Sequence, residues 1–183
     1  MAIKILIADR LEVVRYGLRT LIEGEADWEV CGEAASGDSL LELAKAGKPD
    51  IVVLDASLPG LGGVAMVGRL REALDGPEIL MFSAHDDPEA LTAALSAGAR
   101  GFVLKDEGVG EVLAAIRALA RRQAHLSPAA SQVVLARAIV LEVSPSAIRC
   151  STSISRNDRP FSGAGGSFWI ARASTTWDAA GER

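Results

Sequence analysis

Ile51-Val52-Val53-Leu54-Asp55 is a run of four apolar residues, three of them β-branched, stopped by a carboxylate. A short apolar run without polar alternation reads as a strand buried on both faces. Gly47-Lys48-Pro49 before it and Leu58-Pro59-Gly60 after it supply the punctuation. A strand covered on both sides needs neighbours of the same kind, and the chain contains them. Ile3-Lys4-Ile5-Leu6-Ile7-Ala8 leads to Asp9, Ile79-Leu80-Met81-Phe82 to Ser83, and Gly101-Phe102-Val103-Leu104 to Lys105. Trp28 to Glu33 reads as one further strand.

Between these runs the apolar residues recur at helical spacing. Leu11, Val14, Leu18, Leu21 and Ile22 mark one helix, and Leu40, Leu43 and Ala44 a second, opened by Ser36-Gly37-Asp38. Val64, Val67, Leu70 and Leu74 mark a third, Leu91, Ala94 and Leu95 a fourth, and Val109, Val112, Leu113, Ile116 and Leu119 a fifth. A sixth is expected from Ser127-Pro128, a cap followed by proline in the first turn, to about Leu141. Strand and helix alternate five times. That order predicts an α/β fold: a doubly wound, five-stranded parallel sheet with one extra C-terminal helix and an irregular tail.

Composition narrows the function classes. The chain has 183 residues, 49% of them apolar, and a net charge of −5, so it carries no overall basic footprint for nucleic acid or an anionic membrane. Cys31 and Cys150 are far apart and form no CxxC pair, which argues against a disulfide scaffold or a cysteine zinc site and suits a reducing cytoplasm. No signal-peptide core and no apolar run of membrane-spanning length is expected. All 21 leucines lie at or before Leu141. Residues 143–183 contain eight Ser, three Thr and four Gly, and five Arg against three acids. Such a segment cannot easily build a core, so it is expected to be disordered or an aberrant, out-of-frame tail.

In a parallel sheet the ligand site lies at the carboxyl ends of the strands. Four strands end on Asp9, Asp55, Ser83 and Lys105, and the first also delivers Arg10. If the first, third, fourth and fifth strands are neighbours, two carboxylates, a hydroxyl and an ammonium converge. Carboxylates suit Mg²⁺. A hydroxyl and a lysine suit phosphoryl oxygens, and an aspartate can form an aspartyl-phosphate.

Residues 1–126 resemble the receiver domain of two-component response regulators of the NarL/FixJ type. The resemblance is carried by Ile5-Leu6-Ile7-Ala8-Asp9, Val14-Arg15-Tyr16-Gly17-Leu18-Arg19, Gly32-Glu33-Ala34, Pro49-Asp50-Ile51-Val52-Val53-Leu54-Asp55, Leu58-Pro59-Gly60-Leu61-Gly62-Gly63, and the stretch from Ala97 to Asp106. It implies a flavodoxin-like fold with the receiver in 1–126, a linker helix in 127–142 and the tail in 143–183. It also implies that Asp55 accepts a phosphoryl group from a histidine kinase. Asp9, Asp55 and the backbone carbonyl of Ser57 would hold Mg²⁺. Ser83 matches the switch hydroxyl, Lys105 the cation that pairs with the phosphoryl group, and Phe102 the aromatic that rotates with the switch. Further partners would be another protein or a second copy docking through the receiver. The resemblance implies a signalling protein with at most self-phosphorylation and autodephosphorylation chemistry, not an enzyme in the ordinary sense.

Two departures qualify that implication. Arg10 stands where the family has a second acid, and the sequence after Glu142 lacks the pattern of a LuxR-type helix-turn-helix. DNA binding is therefore not expected of this chain. The competing readings are a pseudo-receiver interaction module that binds Mg²⁺ poorly because of Arg10, and a transcription factor whose output lies in the tail; the leucine-free tail speaks against the second. No Gly-x-Gly-x-x-Gly follows the first strand, no Gly-x-Ser-x-Gly elbow occurs, and an Asp-x-Asp phosphatase would need an acid at Ser57. His85 and His125 lack ligand spacing and read as surface residues. Cys31 reads as a small buried apolar residue, and Arg117, Arg121 and Arg122 as charges complementing a helix C-terminus.

Overall fold

The structure is a computed structural model and describes residues 2–74 and 76–142. The expectations for 143–183 lie outside those residues. The elements run β1 (Ile3–Ala8), α1 (Glu12–Glu23), β2 (Trp28–Ala34), α2 (Gly37–Gly47), β3 (Ile51–Asp55), α3 (Gly63–Ala73), β4 (Glu78–Ser83), α4 (Pro88–Ser96), β5 (Gly101–Leu104), α5 (Val109–Ala120), β6 (His125–Leu126) and α6 (Pro128–Glu142). The sheet order is β2-β1-β3-β4-β5-β6, and every pair is parallel.

The continuous apolar runs are explained by burial on both faces. Successive strand residues point to opposite sides, so each run supplies two cores. Ile5, Ile7, Ile51, Val53, Leu80, Phe82 and Val103 pack on one face with Leu18 and Ile22 of α1 and Val112, Ile116 and Leu119 of α5. Leu6, Ala8, Val52, Leu54, Ile79, Met81, Phe102 and Leu104 pack on the other with α2, α3, α4 and Ala130 of α6. The edge strand β2 is mostly half-buried, and Cys31 with it, so that cysteine is less enclosed than its apolar neighbours predict. Burial still pushes its thiol above the ordinary value.

The helix starts follow local chemistry. Ser36 and Ser39 form a reciprocal cap at α2. Asp87 caps α4 ahead of Pro88. At α3 the requirement is steric: a Cβ on Gly63 would lie 2.6 Å from Asp55 O and 2.6 Å from Ala56 Cα. Glycine lets α3 begin directly against the backbone that follows Asp55.

Six strands form where five were expected. Arg122 adopts φ +58 and turns the chain after α5, and His125 and Leu126 then pair with Gly101 and Phe102. A two-residue strand is too short to leave a periodicity in sequence. Its formation also corrects the reading of His125 as a surface residue: the side chain is half-buried, with Nε2 2.7 Å from Glu111 Oε1. His85 is exposed as expected. The arginines near the end of α5 tie elements together. Arg117 pairs with Glu25 at 2.6 Å and lies over the Trp28 ring, and Arg122 reaches within 3.6 Å of Glu78. No helix among the described residues is long and apolar enough to cross a membrane.

Candidate phosphoacceptor site

The strand order reverses between β1 and β3, since β2 lies on one side of that pair and β4 to β6 on the other. Such a switch point opens a crevice at the carboxyl ends. Asp9 follows the last residue of β1 and Asp55 is the last of β3, so the two carboxylates flank it. Both are 1% exposed. Charges buried to that degree require partners.

Lys105, from the end of β5, supplies the shared partner. Its Nζ lies 2.5 Å from Asp9 Oδ2 and 3.1 Å from Asp55 Oδ1. The ammonium also sits 5.3 Å from the centre of the Phe82 ring. The other carboxylate oxygens are engaged as well. Leu11 N–H donates to Asp9 Oδ1 at 2.8 Å, so Asp9 also braces the turn into α1. Ser57 N–H donates to Asp55 Oδ1 at 3.1 Å, and Ser57 Oγ lies 3.0 and 2.9 Å from the two Asp55 oxygens.

Ser83 ends β4 at the same rim, but its hydroxyl is turned onto the next loop. It donates to His85 O at 2.9 Å and accepts from His85 N–H at 3.1 Å. Phe102 is buried beneath α6, with Leu91, Ala94 and Ala130 in the same cluster. Arg10 is exposed and has no ion-pair partner among the described residues. The guanidinium therefore does not stand between Asp9 and Asp55; Lys105 occupies that position.

Four residues without an assigned role, Arg15, Arg19, Glu33 and Glu107, support the site. Arg15 donates to Asp9 O at 2.9 Å and pairs with Glu33 at 3.2 Å, which fixes the β1 end from behind. Arg19 joins the same Glu33. Glu107 accepts from Leu104 N–H at 3.2 Å, bracing the peptide that precedes Lys105. The pairing of α1 with β2 through Arg15 and Glu33 leaves no spacing signal in sequence, because the residues are distant in the chain.

Mg²⁺ fits the donor set in kind. The ligands that the resemblance implies are hard oxygens: two carboxylates and the Ser57 carbonyl. Their number is low, and among the described residues no group of three or more His, Cys, Asp or Glu could hold a metal.

The response regulator receiver domain model matches residues 5–117. The nitrate/nitrite response regulator protein NarL of Escherichia coli K12 is 35% identical over 132 residues, which are 72% of this chain and 61% of NarL. The transcriptional regulatory protein YxjL of Bacillus subtilis is 35% identical over 122 residues, 67% of this chain and 56% of YxjL. The chain thus spans roughly three-fifths of the length of these curated relatives. Among solved structures, a LuxR-family two-component response regulator from Aurantimonas superposes with a TM-score of 0.73 at 32% identity, over 76% of this chain and 99% of that one. The signal receiver domain of the response regulator NarL from Mycobacterium tuberculosis gives 0.62 at 33% identity, over 66% and 97%.

Proposed function

The chain belongs to the response regulator receiver family, and from that premise we propose that Asp55 accepts a phosphoryl group from a histidine kinase. One observation carries the reading: a single ammonium, Lys105, lies within 3.1 Å of two buried carboxylates at the switch point of the sheet. An Asp55 oxygen attacks the phosphorus of a phosphohistidine. The P–O bond to Asp55 forms, the P–N bond breaks, and the released imidazole nitrogen takes up a proton. The product carries added negative charge where Lys105 already stands, so the lysine can exchange its bond to Asp9 for one to a phosphoryl oxygen. Ser83 is adjacent in β4, and its hydroxyl reaches the same group by giving up His85. Phe102 is the aromatic whose packing answers that movement.

Asp9, Asp55 and the Ser57 carbonyl are the residues that would hold Mg²⁺. The ion would supply positive charge against the phosphoryl oxygens. A second reading, an interaction module of receiver fold that is poorly phosphorylated, is favoured by Arg10 at the position of the second acid and by Lys105 already occupying both carboxylates. Signalling then proceeds through protein contacts, with a kinase, another protein or a second copy as partner.

The test is incubation with a small phosphodonor and Mg²⁺, followed by intact-mass measurement. The expected result is one added phosphoryl group, absent from Asp55→Asn. An unmodified wild type would favour the interaction module, and a modification that persists in Asp55→Asn would remove Asp55 from its role.

A further inference from the structure

Helix α6 begins with a proline, so the first backbone N–H it presents is that of Ala129. The opening N–H groups of a helix have no acceptor within it. Here each has one. Ala130 N–H points to Ser127 Oγ at 3.4 Å, Ser131 N–H donates to Ser127 O at 2.8 Å, and Ala129 N–H donates to Glu107 Oε1 at 2.8 Å. The acceptor for Ala129 is thus a side chain from the loop between β5 and α5, not a residue of the helix or its cap.

The other oxygen of the same carboxylate accepts from Leu104 N–H at 3.2 Å. Leu104 is the last residue of β5, and the next residue is Lys105. From the next peptide along, Leu104–Lys105, the Lys105 N–H donates to Ser83 O at 2.7 Å. The backbone carrying the site's cation is therefore held between Ser83 and Glu107, and Glu107 is held in turn by α6. Ser127, the residue before α6, is tied to the same strand by its N–H on Phe102 O at 3.0 Å. Below it, Ala129, Ala130, Val133 and Val134 pack on the core that contains Phe102.

We propose that Glu107 is a positioning residue that couples the state of Lys105 to the docking of α6. Displacement of Lys105 from Asp9 and Asp55 shifts the backbone at Leu104 and Lys105, weakens the bond from Leu104 N–H to Glu107 and releases the carboxylate that caps Ala129. The first turn of α6 then loosens over Phe102. As the output of the phosphoacceptor site, this coupling rests on the function proposed above; as a mechanical link between Lys105 and α6, it is testable without phosphorylation.

The experiment is a double-mutant cycle read by amide hydrogen exchange on the full chain. Wild type, Lys105→Ala, Glu107→Ala and the double variant are compared at the first-turn amides of α6, with amides of α2, remote from the site, as the control for global unfolding. Glu107→Gln is a second variant that keeps one acceptor oxygen if the alanine form folds poorly. Lys105→Ala is expected to accelerate exchange at Ala129 to Ser131 by about tenfold in the wild-type background and by less than about twofold when Glu107 is absent, the mark of two residues acting through one link. A structural cap alone would give additive effects, with the same acceleration in both backgrounds, and that result overturns the proposal. So does unchanged α6 exchange in Lys105→Ala. The intact mass of phosphodonor-treated wild type is measured alongside. Its failure to gain a phosphoryl group would count against the role of Asp55 and leave the outcome of the cycle as it stands.

Discussion

Lys105 and Asp9 meet at 2.5 Å across the ends of two strands that are not adjacent in the sheet. The contact spans 96 positions of chain, and it gives a buried carboxylate its cationic partner.

Arg10→Asp is expected to tighten Mg²⁺ binding by at least about tenfold, roughly 1.4 kcal/mol. A unit charge about 4 Å from a divalent ion repels it by roughly 8 kcal/mol at an effective dielectric of about 20, but Arg10 is exposed and solvent screens most of that. The larger part of the gain comes from restoring a carboxylate ligand. Calorimetric titration of the two proteins decides it; equal affinities would remove the support that Arg10 lends to the interaction-module reading.

Ser57→Ala should speed phosphorylation of Asp55. The Ser57 hydroxyl lies within hydrogen-bonding distance of both carboxylate oxygens, and such a bond stabilises the nucleophile before reaction. Losing about 1 kcal/mol of that stabilisation is worth about fivefold in rate. Time courses of intact mass at fixed phosphodonor are the measurement, and a slower variant would mean that the hydroxyl assists the transfer instead.

Gly63→Ala should destabilise the fold by about 2 kcal/mol, in the range for overpacking a rigid site. The new Cβ would press on backbone atoms of Asp55 and Ala56 at 2.6 Å, where no side chain can yield. Urea unfolding reports it, and an unchanged midpoint would show that α3 shifts freely.

Acid should release α6. Burial alone would raise the carboxyl of Glu107, but hydrogen bonds from Ser127, Ala129 N–H and Leu104 N–H outweigh it, with His125 adding its charge, and the group is held below its ordinary value of 4.5. A carboxyl depressed by folding contributes stability that is complete above the unfolded value and is lost as pH falls through the lower, folded one. Exchange at the first turn of α6 should therefore accelerate below about pH 4.5, and Glu107→Gln should flatten that dependence. The same acid response in the variant would assign the release to other groups.

Much of the architecture was readable before the fold was known, for a physical reason. Strands buried on both faces must be apolar without interruption, so β1, β3, β4 and β5 announce themselves, and the first polar residue after each marks the rim. Asp9, Asp55, Ser83 and Lys105 were found in that way, and the helices by their 3.6-residue spacing. β6 escaped because two residues carry no period. The neighbourhoods of His125 and Cys31 escaped because burial at a sheet edge depends on what packs beside it.

Tertiary structure alone decided how the rim is wired. Side-chain direction and reach are not encoded in spacing, and contacts between distant residues depend on where the backbone brings them. Arg10 and Lys105 are both cations near the same carboxylates in any reading of the chain. It is the parallel placement of β5 two strands from β3 and the turn of the chain after Asp9 that leave Arg10 in solvent and bring Lys105 between the acids. The same placement sets Glu107 beside Ala129, a pairing that neither segment foretells.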